Sequence, residues 1–246
     1  MKYFFALLFV LNLVFLSTPA WAYHDALDGL LADHVAPVTV KGITYNGVDY
    51  TAWGQDARHK QVVNEILNTD PATLGTRQEK LTYWINTYNV LTIDLITREG
   101  ETESIKNLGT TFNSPWKKHK WTIAGTAYSL DDIEHKIIRP LGEPRIHFAI
   151  NCAAKSCPDL RAEAYRADEL EAQLAEQTKL TFENATKGYA QIDGQNAVRV
   201  TKVMDWFKKD FNDGDLRSWL ANYFPDVIDD TTSVKFFKYD WSLNSQ

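Results

Sequence analysis

The longest regular pattern of apolar positions lies between Thr76 and Gly100. Thr76 followed by Glu79 forms a capping-box signature, which predicts that a helix begins at this point. Gly100 predicts where it ends. Apolar residues almost encircle the axis of this helix, so we expect it to be buried on all sides at the centre of the fold. They are Leu81, Trp84, Ile85, Tyr88, Leu91, Ile93, Leu95 and Ile96.

Shorter amphipathic patterns predict further helices on either side of this one. A helix over residues 132–139 is expected to be capped by Ser129 or Asp131 and stopped by Pro140. The other predicted helices cover residues 57–67, 168–184, 203–211 and 216–224.

Strand signals are short and dispersed. Asn46-Gly47 predicts a hairpin over residues 43–50, and Gly125 predicts a second over 121–128. Further strands are predicted over residues 146–150, 189–193, 197–200 and 234–239. Strands and helices do not alternate regularly, which indicates an α+β fold with a small, mostly antiparallel sheet.

The first 22 residues have the pattern of a cleavable signal peptide. Lys2 precedes an apolar run from Phe4 to Leu16, and a small-x-small site ends at Ala22. The apolar run is short for a transmembrane helix. We therefore expect a periplasmic or secreted protein, cut after Ala22, with residues 23–246 forming a single domain and no membrane insertion.

Composition narrows the choice of partners. The net charge is −6, and the chain has 8 tryptophans and 2 cysteines. An acidic chain of this kind argues against a nucleic-acid partner, which needs a basic face. The tryptophans suit either a core or a sugar- or peptide-binding groove, and core-type spacing favours the core.

Residues 145–158 hold both cysteines and concentrate the candidate chemistry. A predicted strand that ends at Cys152 would hold a nucleophile on rigid backbone. His147 is a candidate base only if the chain turns at Asn151, because the two side chains otherwise point to opposite faces of a strand. His135, at the edge of the predicted 132–139 helix, is the other candidate base.

A third group is expected to orient the imidazole. The candidates are Asn86, Asn89, Asp94 and Glu134. Asn86 and Asn89 lie three residues apart on the central helix, so both fall on one buried face. The alternative is that these amides bind loop backbone and hold the fold together.

The two thiols have a second interpretation. In an exported chain Cys152 and Cys157 would form a disulfide, structural or redox-active, if the backbone bends enough to bring them together. Metal binding by these cysteines with His135 and His147 is disfavoured, because the spacing matches no zinc finger or ribbon. No motif for a cofactor is present.

Four segments resemble the family called domain of unknown function 547. They are residues 83–92 (YWINTYNVLT), 130–139 (LDDIEHKIIR), 147–158 (HFAINCAAKSCP) and 238–244 (KYDWSLN). The resemblance spans roughly Gly47 to Asn244. It includes Asn86, Glu134, His135, His147, Cys152 and Cys157.

This resemblance implies no defined activity, because the family's name records that none is established. Members occur as exported bacterial proteins and beside other modules in plants and animals. That occurrence is compatible with an enzyme or an interaction domain. Some relatives carry serine at the position of Cys157, which implies a role for Cys152 that does not need the second thiol.

The sequence leads to two functional hypotheses. The first is an exported cysteine-dependent hydrolase or acyl-transferase, with papain- or transglutaminase-like chemistry, acting on amide or thioester-like bonds of a peptide, cell-wall or small-molecule substrate. Cys152 is the nucleophile, His135 the base, Asn86 or Glu134 the orienting group and His147 the alternative base. Backbone amides after Cys152 form the oxyanion hole.

The second hypothesis is a non-catalytic scaffold that binds a protein partner and contains a Cys152–Cys157 disulfide.

Overall fold

The computed structural model describes residues 23–246. The predicted signal peptide and its cleavage site lie outside the described residues. The helices, numbered in chain order, are α1 His24–His34, α2 Tyr50–Gln55, α3 Ala57–Asn68, α4 Arg77–Glu99, α5 Pro115–Lys118, α6 Leu130–Asp132, α7 Ile146–Ala149, α8 Leu170–Glu183, α9 Val203–Trp206 and α10 Leu216–Ala221.

Seven strands form three small sheets in the described part of the chain. They are β1 Val35–Val40, β2 Ile43–Val48, β3 Lys120–Ile123, β4 Thr126–Ser129, β5 Tyr189–Gln191, β6 Ala197–Val200 and β7 Ser233–Phe236. The pairs β1–β2, β3–β4 and β5–β6 are antiparallel, whereas β6–β7 is parallel. The α+β class is confirmed, with three separate sheets in place of the single one expected.

The central helix α4 begins and ends as the sequence predicts. Thr76 and Glu79 form a reciprocal capping box, and Gly100 closes the helix in the left-handed conformation at φ 64°. Every residue from Leu81 to Ile93 is buried. Burial of apolar area on all faces, rather than helix propensity, therefore stabilises this element.

The predicted hairpin at Asn46-Gly47 is wrong. The turn lies at Lys41-Gly42, where both residues have positive φ, and Asn46 and Gly47 pair inside β2 with Pro37 and Ala36. Gly47 is required by close packing, because a Cβ there would lie 2.9 Å from Cγ2 of Val38. The second predicted hairpin, around Gly125, is confirmed.

The predicted strand over residues 146–150 is also wrong, because its first four residues form the short helix α7. The amides of His147 and Phe148 bond to the carbonyls of Pro144 and Arg145, which winds the chain into a turn. A short apolar run buried on every side does not distinguish a strand from a helix.

Two regions are less regular than predicted. The helix expected over residues 132–139 is capped by Ser129 but continues from α6 as a π-helical segment, Ile133–Ile138, and a 3₁₀ turn, Arg139–Leu141. The helix expected over 203–211 breaks after α9 into a 3₁₀ turn at Lys208–Asp210. Both irregular segments carry residues of the candidate site.

The buried apolar residues form two clusters. The larger surrounds α4 and includes Tyr88 and Ile150, and the smaller lies under the C-terminal sheet and includes Phe148 and Val203. Helix α7 and the residue after it therefore contribute to both clusters. The candidate site lies where these clusters meet.

Candidate functional site

One cavity of about 200 Å³ collects most of the residues singled out from the sequence. Cys152, Cys157, Glu134, His135 and His147 all line it. The rest of the lining is mainly aromatic and apolar: Tyr88, Trp116, Ile150, Val203, Trp206, Phe207 and Trp241, with Ser114 and Asp131.

Asn89 fixes the backbone that leads into Cys152. Its Nδ2 donates to the carbonyl of Ala149 at 3.0 Å, and its Oδ1 accepts from the amide of Asn151 at 2.8 Å. These bonds satisfy the two backbone groups on either side of Ile150, where α7 ends. The loop begins in a defined direction because a buried side chain from α4 holds it.

The loop then turns sharply after Cys152. Ala153 has φ 60°, in the left-handed region that non-glycine residues rarely adopt. Asn151 supports this turn, since its Oδ1 accepts from the Ala153 amide at 2.9 Å and its Nδ2 donates to the Pro158 carbonyl at 2.8 Å. Strained backbone of this kind is common at functional sites.

Cys152 and Cys157 are free thiols in contact, so the disulfide of the alternative hypothesis is not present in the structure. The Cys152 thiol donates to Cys157 Sγ across 2.8 Å, and the Cys152 amide donates to the same sulfur at 3.0 Å. A disulfide bond is about 2.05 Å long.

The two thiols differ in acidity. Burial, together with the adjacent Cys157, raises the pKa of Cys152 well above its usual value. Burial also raises the pKa of Cys157, but the hydrogen bonds from Cys152 and Tyr239 and the charge of Lys187 together lower it below its usual value. The pair therefore loses its first proton at Cys157, and Cys152 needs a proton acceptor to become a nucleophile.

The C-terminal segment completes the thiol environment. The hydroxyl of Tyr239 lies 3.0 Å from Cys152 Sγ. The Ser156 hydroxyl receives a hydrogen bond from the Asp240 amide at 2.9 Å, which ties this segment to the cysteine loop. Tyr239 was not predicted as a site residue, although it lies in one of the four segments that carry the family resemblance.

His147 is the better oriented of the two histidines. Its Nε2 lies 2.8 Å from Oδ2 of Asp210, and its ring stacks on Phe207 with centroids 4.0 Å apart. Its Nδ1 is buried and has no hydrogen-bond partner among the described residues. Burial lowers the pKa of His147 against the opposing effect of Asp210, so the ring is neutral at pH 7.

Asp210 is a second site residue that the sequence does not reveal. It also accepts from Nε and Nη2 of Arg139 at 2.7 and 2.8 Å. These bonds hold the pKa of Asp210 well below its usual range, so the carboxylate stays ionised. In the sequence it follows Lys208-Lys209 and has the appearance of an ordinary surface charge.

His135 lies on the solvent side of the cavity. Its side chain is 37% exposed, and its Nε2 lies 3.6 Å from Oδ1 of Asp131. Its Nδ1 lies 3.2 Å from Arg139. Within the described chain, the hydrogen bonds of Cys152 Sγ go to Cys157 and Tyr239, and neither histidine contacts that sulfur directly.

Glu134 is a buried acid, only 8% exposed. Burial raises its pKa to about 7, while a hydrogen bond with Tyr88 and the charge of Arg139 oppose the rise. This carboxyl group is therefore able to hold or release a proton at neutral pH, a property typical of functional sites.

The other predicted groups lie elsewhere. Asn86 exchanges two 2.9 Å hydrogen bonds with the backbone of Tyr165, so it holds a loop and orients neither histidine. Asp94 pairs with His59 and accepts from Trp121 on the far side of α4. Of the backbone amides expected to form the oxyanion hole, that of Ala153 bonds to Asn151 Oδ1 and that of Lys155 to the Ser242 carbonyl.

Comparison with known proteins gives one match. A family model described as Protein of unknown function, DUF547, matches residues 71–180. No curated protein and no solved structure matches the chain. The matched range contains Glu134, His147 and both cysteines, whereas Asp210 and Tyr239 lie beyond it.

Across residues 23–246, no group of three or more metal-ligating side chains is arranged to hold an ion. None of the helices described there is long and apolar enough to cross a membrane.

Proposed function

We propose that the protein is a cysteine-dependent hydrolase or acyl-transferase that acts on amide, ester or thioester-like bonds. The observation that supports this most is that one small cavity holds a thiol, a neutral imidazole oriented by a carboxylate, and an acid with a pKa near 7. Cys152, His147 and Asp210 take the roles of nucleophile, base and orienting group.

The proposed reaction begins with the thiol. Cys152 Sγ attacks the substrate carbonyl carbon while its proton passes to Nδ1 of His147 through one water molecule. Asp210 keeps the imidazole in the tautomer that has a free lone pair on Nδ1, and it stabilises the imidazolium that forms.

The tetrahedral intermediate then collapses. His147 returns its proton to the leaving group, and a thioester on Cys152 remains. Water or another acceptor attacks the thioester, restores the Cys152 thiol and releases the acyl product. Because the Ala153 amide is occupied, the Tyr239 hydroxyl beside Cys152 is the proposed donor to the oxyanion.

The test is turnover of p-nitrophenyl acetate and of a short acyl thioester by the purified protein. We expect Cys152→Ser to abolish turnover, and His147→Gln and Asp210→Asn to reduce it by about 10²–10⁴-fold. His135→Gln is the matched control and is expected to retain activity. An acetylated Cys152 peptide in wild-type protein stopped by acid identifies the thioester directly.

Other results of these assays would contradict the proposal or reassign the base. Turnover that is unchanged by Cys152→Ser contradicts the proposal. Loss of turnover in His135→Gln but not in His147→Gln assigns the base to His135, as first expected from the sequence. Absence of turnover and of acylation on every probe favours the binding-domain hypothesis.

We also propose that the protein is exported to the periplasm or secreted. The support is the signal-like pattern of residues 1–22. Protein purified after expression with its leader is expected to begin at Tyr23, and an intact mass that retains residues 1–22 contradicts this proposal.

A further inference from the structure

Glu134 is a buried carboxyl group without a cationic partner. Among the described residues it forms no ion pair, and the hydrogen-bonding group that lowers its pKa is Tyr88. Arg139 is the cation that acts on it, but that guanidinium is already held by both oxygens of Asp210. A buried carboxylate is strongly disfavoured unless a positive charge pairs with it.

The other charged groups around Glu134 do not supply that positive charge. Asp131 and Asp210 are acidic, and both act to raise its pKa. Lys117 lies 3.8 Å from Asp131 on the solvent side. His135 and His147 have lowered pKa values and are neutral at pH 7, and Cys152 is protonated.

The walls of the cavity favour cations. Trp116, Trp206, Trp241 and Tyr88 line it together with Glu134. The π-face of an indole ring attracts ammonium groups, most strongly where water is excluded. Lys106 already lies 5.3 Å from the ring centre of Trp241, so a cation from the protein itself contacts one of these rings.

We propose that the cavity recognises its substrate through a primary ammonium group, such as that of an alkylamine or a lysine side chain, held between Glu134 and the indole rings. This inference rests on the proposed function, because it takes the cavity beside Cys152 as the substrate site. A volume of about 200 Å³ accommodates an unbranched four-carbon ammonium chain.

Proton linkage gives this site a distinctive signature. In the protein without a bound ligand, the pKa of Glu134 is about 7. A bound cation stabilises the carboxylate, so binding releases a proton below that pH. Affinity for an ammonium ligand should therefore rise about tenfold between pH 6 and pH 8, while the ligand itself stays charged.

The test uses the full chain with Cys152→Ser, in which binding is measured without turnover. n-Butylammonium is titrated at pH 6, 7 and 8 by tryptophan fluorescence, with n-butanol and butyrate as matched ligands. Calorimetry in two buffers of different ionisation enthalpy counts the protons released. Glu134→Gln in the same background preserves the shape of the side chain and removes its charge.

We expect n-butylammonium to bind more tightly than either matched ligand, with affinity that rises with pH. Glu134→Gln should lower the affinity at pH 8 at least tenfold and abolish the pH dependence. Equal binding of butanol, tighter binding of butyrate, or no ammonium binding at tens of millimolar overturns the inference.

Failure of this inference and failure of the proposed catalysis give different results. Ammonium binding with no acylation of wild-type Cys152 would retain the ligand class and reject the enzyme. Acylation of Cys152 without ammonium binding would retain the enzyme and reject the ligand class.

Discussion

Single residues determine what the thiol pair is able to do. Residue Cys152 is partly exposed, whereas Cys157 is buried and only 2% exposed. Sequence alone identified both cysteines, Glu134 and the two histidines, because such residue types stand out near a buried segment. It did not identify Asp210 or Tyr239, because their roles depend on contacts with residues 63 and 87 positions away.

The contact between the sulfurs predicts ready oxidation. A small-molecule disulfide such as oxidised glutathione is expected to convert both thiols to an internal Cys152–Cys157 disulfide and release two thiols. Oxidised protein should then fail to react with iodoacetamide at Cys152, and dithiothreitol should restore the reaction. The measurement is intact mass with a thiol count.

Cys157→Ser is the control for that experiment. This variant lacks the resolving thiol, so it should form a mixed disulfide with glutathione at Cys152 in place of the internal bond. Two thiols that persist in wild-type protein under excess oxidant would contradict the prediction.

At the scale of elements, the longest periodic pattern predicts its helix correctly, whereas a short apolar run does not distinguish a strand from a helix. The central helix, its caps and the hairpin at Gly125 follow from local sequence. The segment 146–150 forms a short helix where its pattern predicts a strand, because five buried residues in a row have no periodicity that distinguishes the two. The path of the chain into Cys152 is instead determined by tertiary hydrogen bonds. They come from Asn89 on α4 and not from local propensity.

Asn89→Ala is expected to lower the free energy of unfolding by about 2–4 kcal/mol, because two buried backbone groups lose their partners. Chemical denaturation followed by tryptophan fluorescence measures this loss. Asn86→Ala is a matched control, since Asn86 holds the Tyr165 backbone in the same way but away from the cavity.

The two variants should differ in one respect. Both should be destabilised, but only Asn89→Ala should change the rate at which Cys152 is alkylated in native protein. Equal alkylation rates in the two variants would contradict the role given to Asn89 in placing the nucleophile.

At the scale of the whole molecule, two apolar clusters meet at a cavity that neither one encloses alone. The sequence predicted the α+β class and the buried helix, but it offered no signal for this division or for a cavity where the clusters join. The division comes from packing between distant segments, in particular from the aromatic residues of the C-terminal half. The site is therefore a product of the complete fold.

Burial of Glu134 makes the stability of the molecule depend on pH. Its pKa is about 7 in the folded protein and 4.5 in the reference state, so the folded state binds more protons between these values. The stability that protonated Glu134 contributes is fully present below pH 4.5 and is lost as the pH rises through 7. The difference amounts to about 3 kcal/mol.

Glu134→Gln should remove this dependence and stabilise the protein at pH 8 relative to wild type. Urea denaturation at pH 5 and pH 8 measures the effect, and the carboxylates with lowered pKa values, such as Asp210, affect both proteins equally. A wild-type protein whose stability rises relative to the variant from pH 5 to pH 8 would contradict the assignment.

The central claim is that His147, held by Asp210, removes the proton from Cys152. The most direct measurement is the rate of iodoacetamide alkylation at Cys152 in fully reduced protein, resolved by peptide mass spectrometry from pH 5 to pH 10. The predicted wild-type rate rises with a midpoint below 6.5, where His147 becomes neutral, and His147→Gln shifts the rise to above pH 9. A wild-type rate that rises only above pH 9, or a His147→Gln profile identical to that of wild type, would contradict the account.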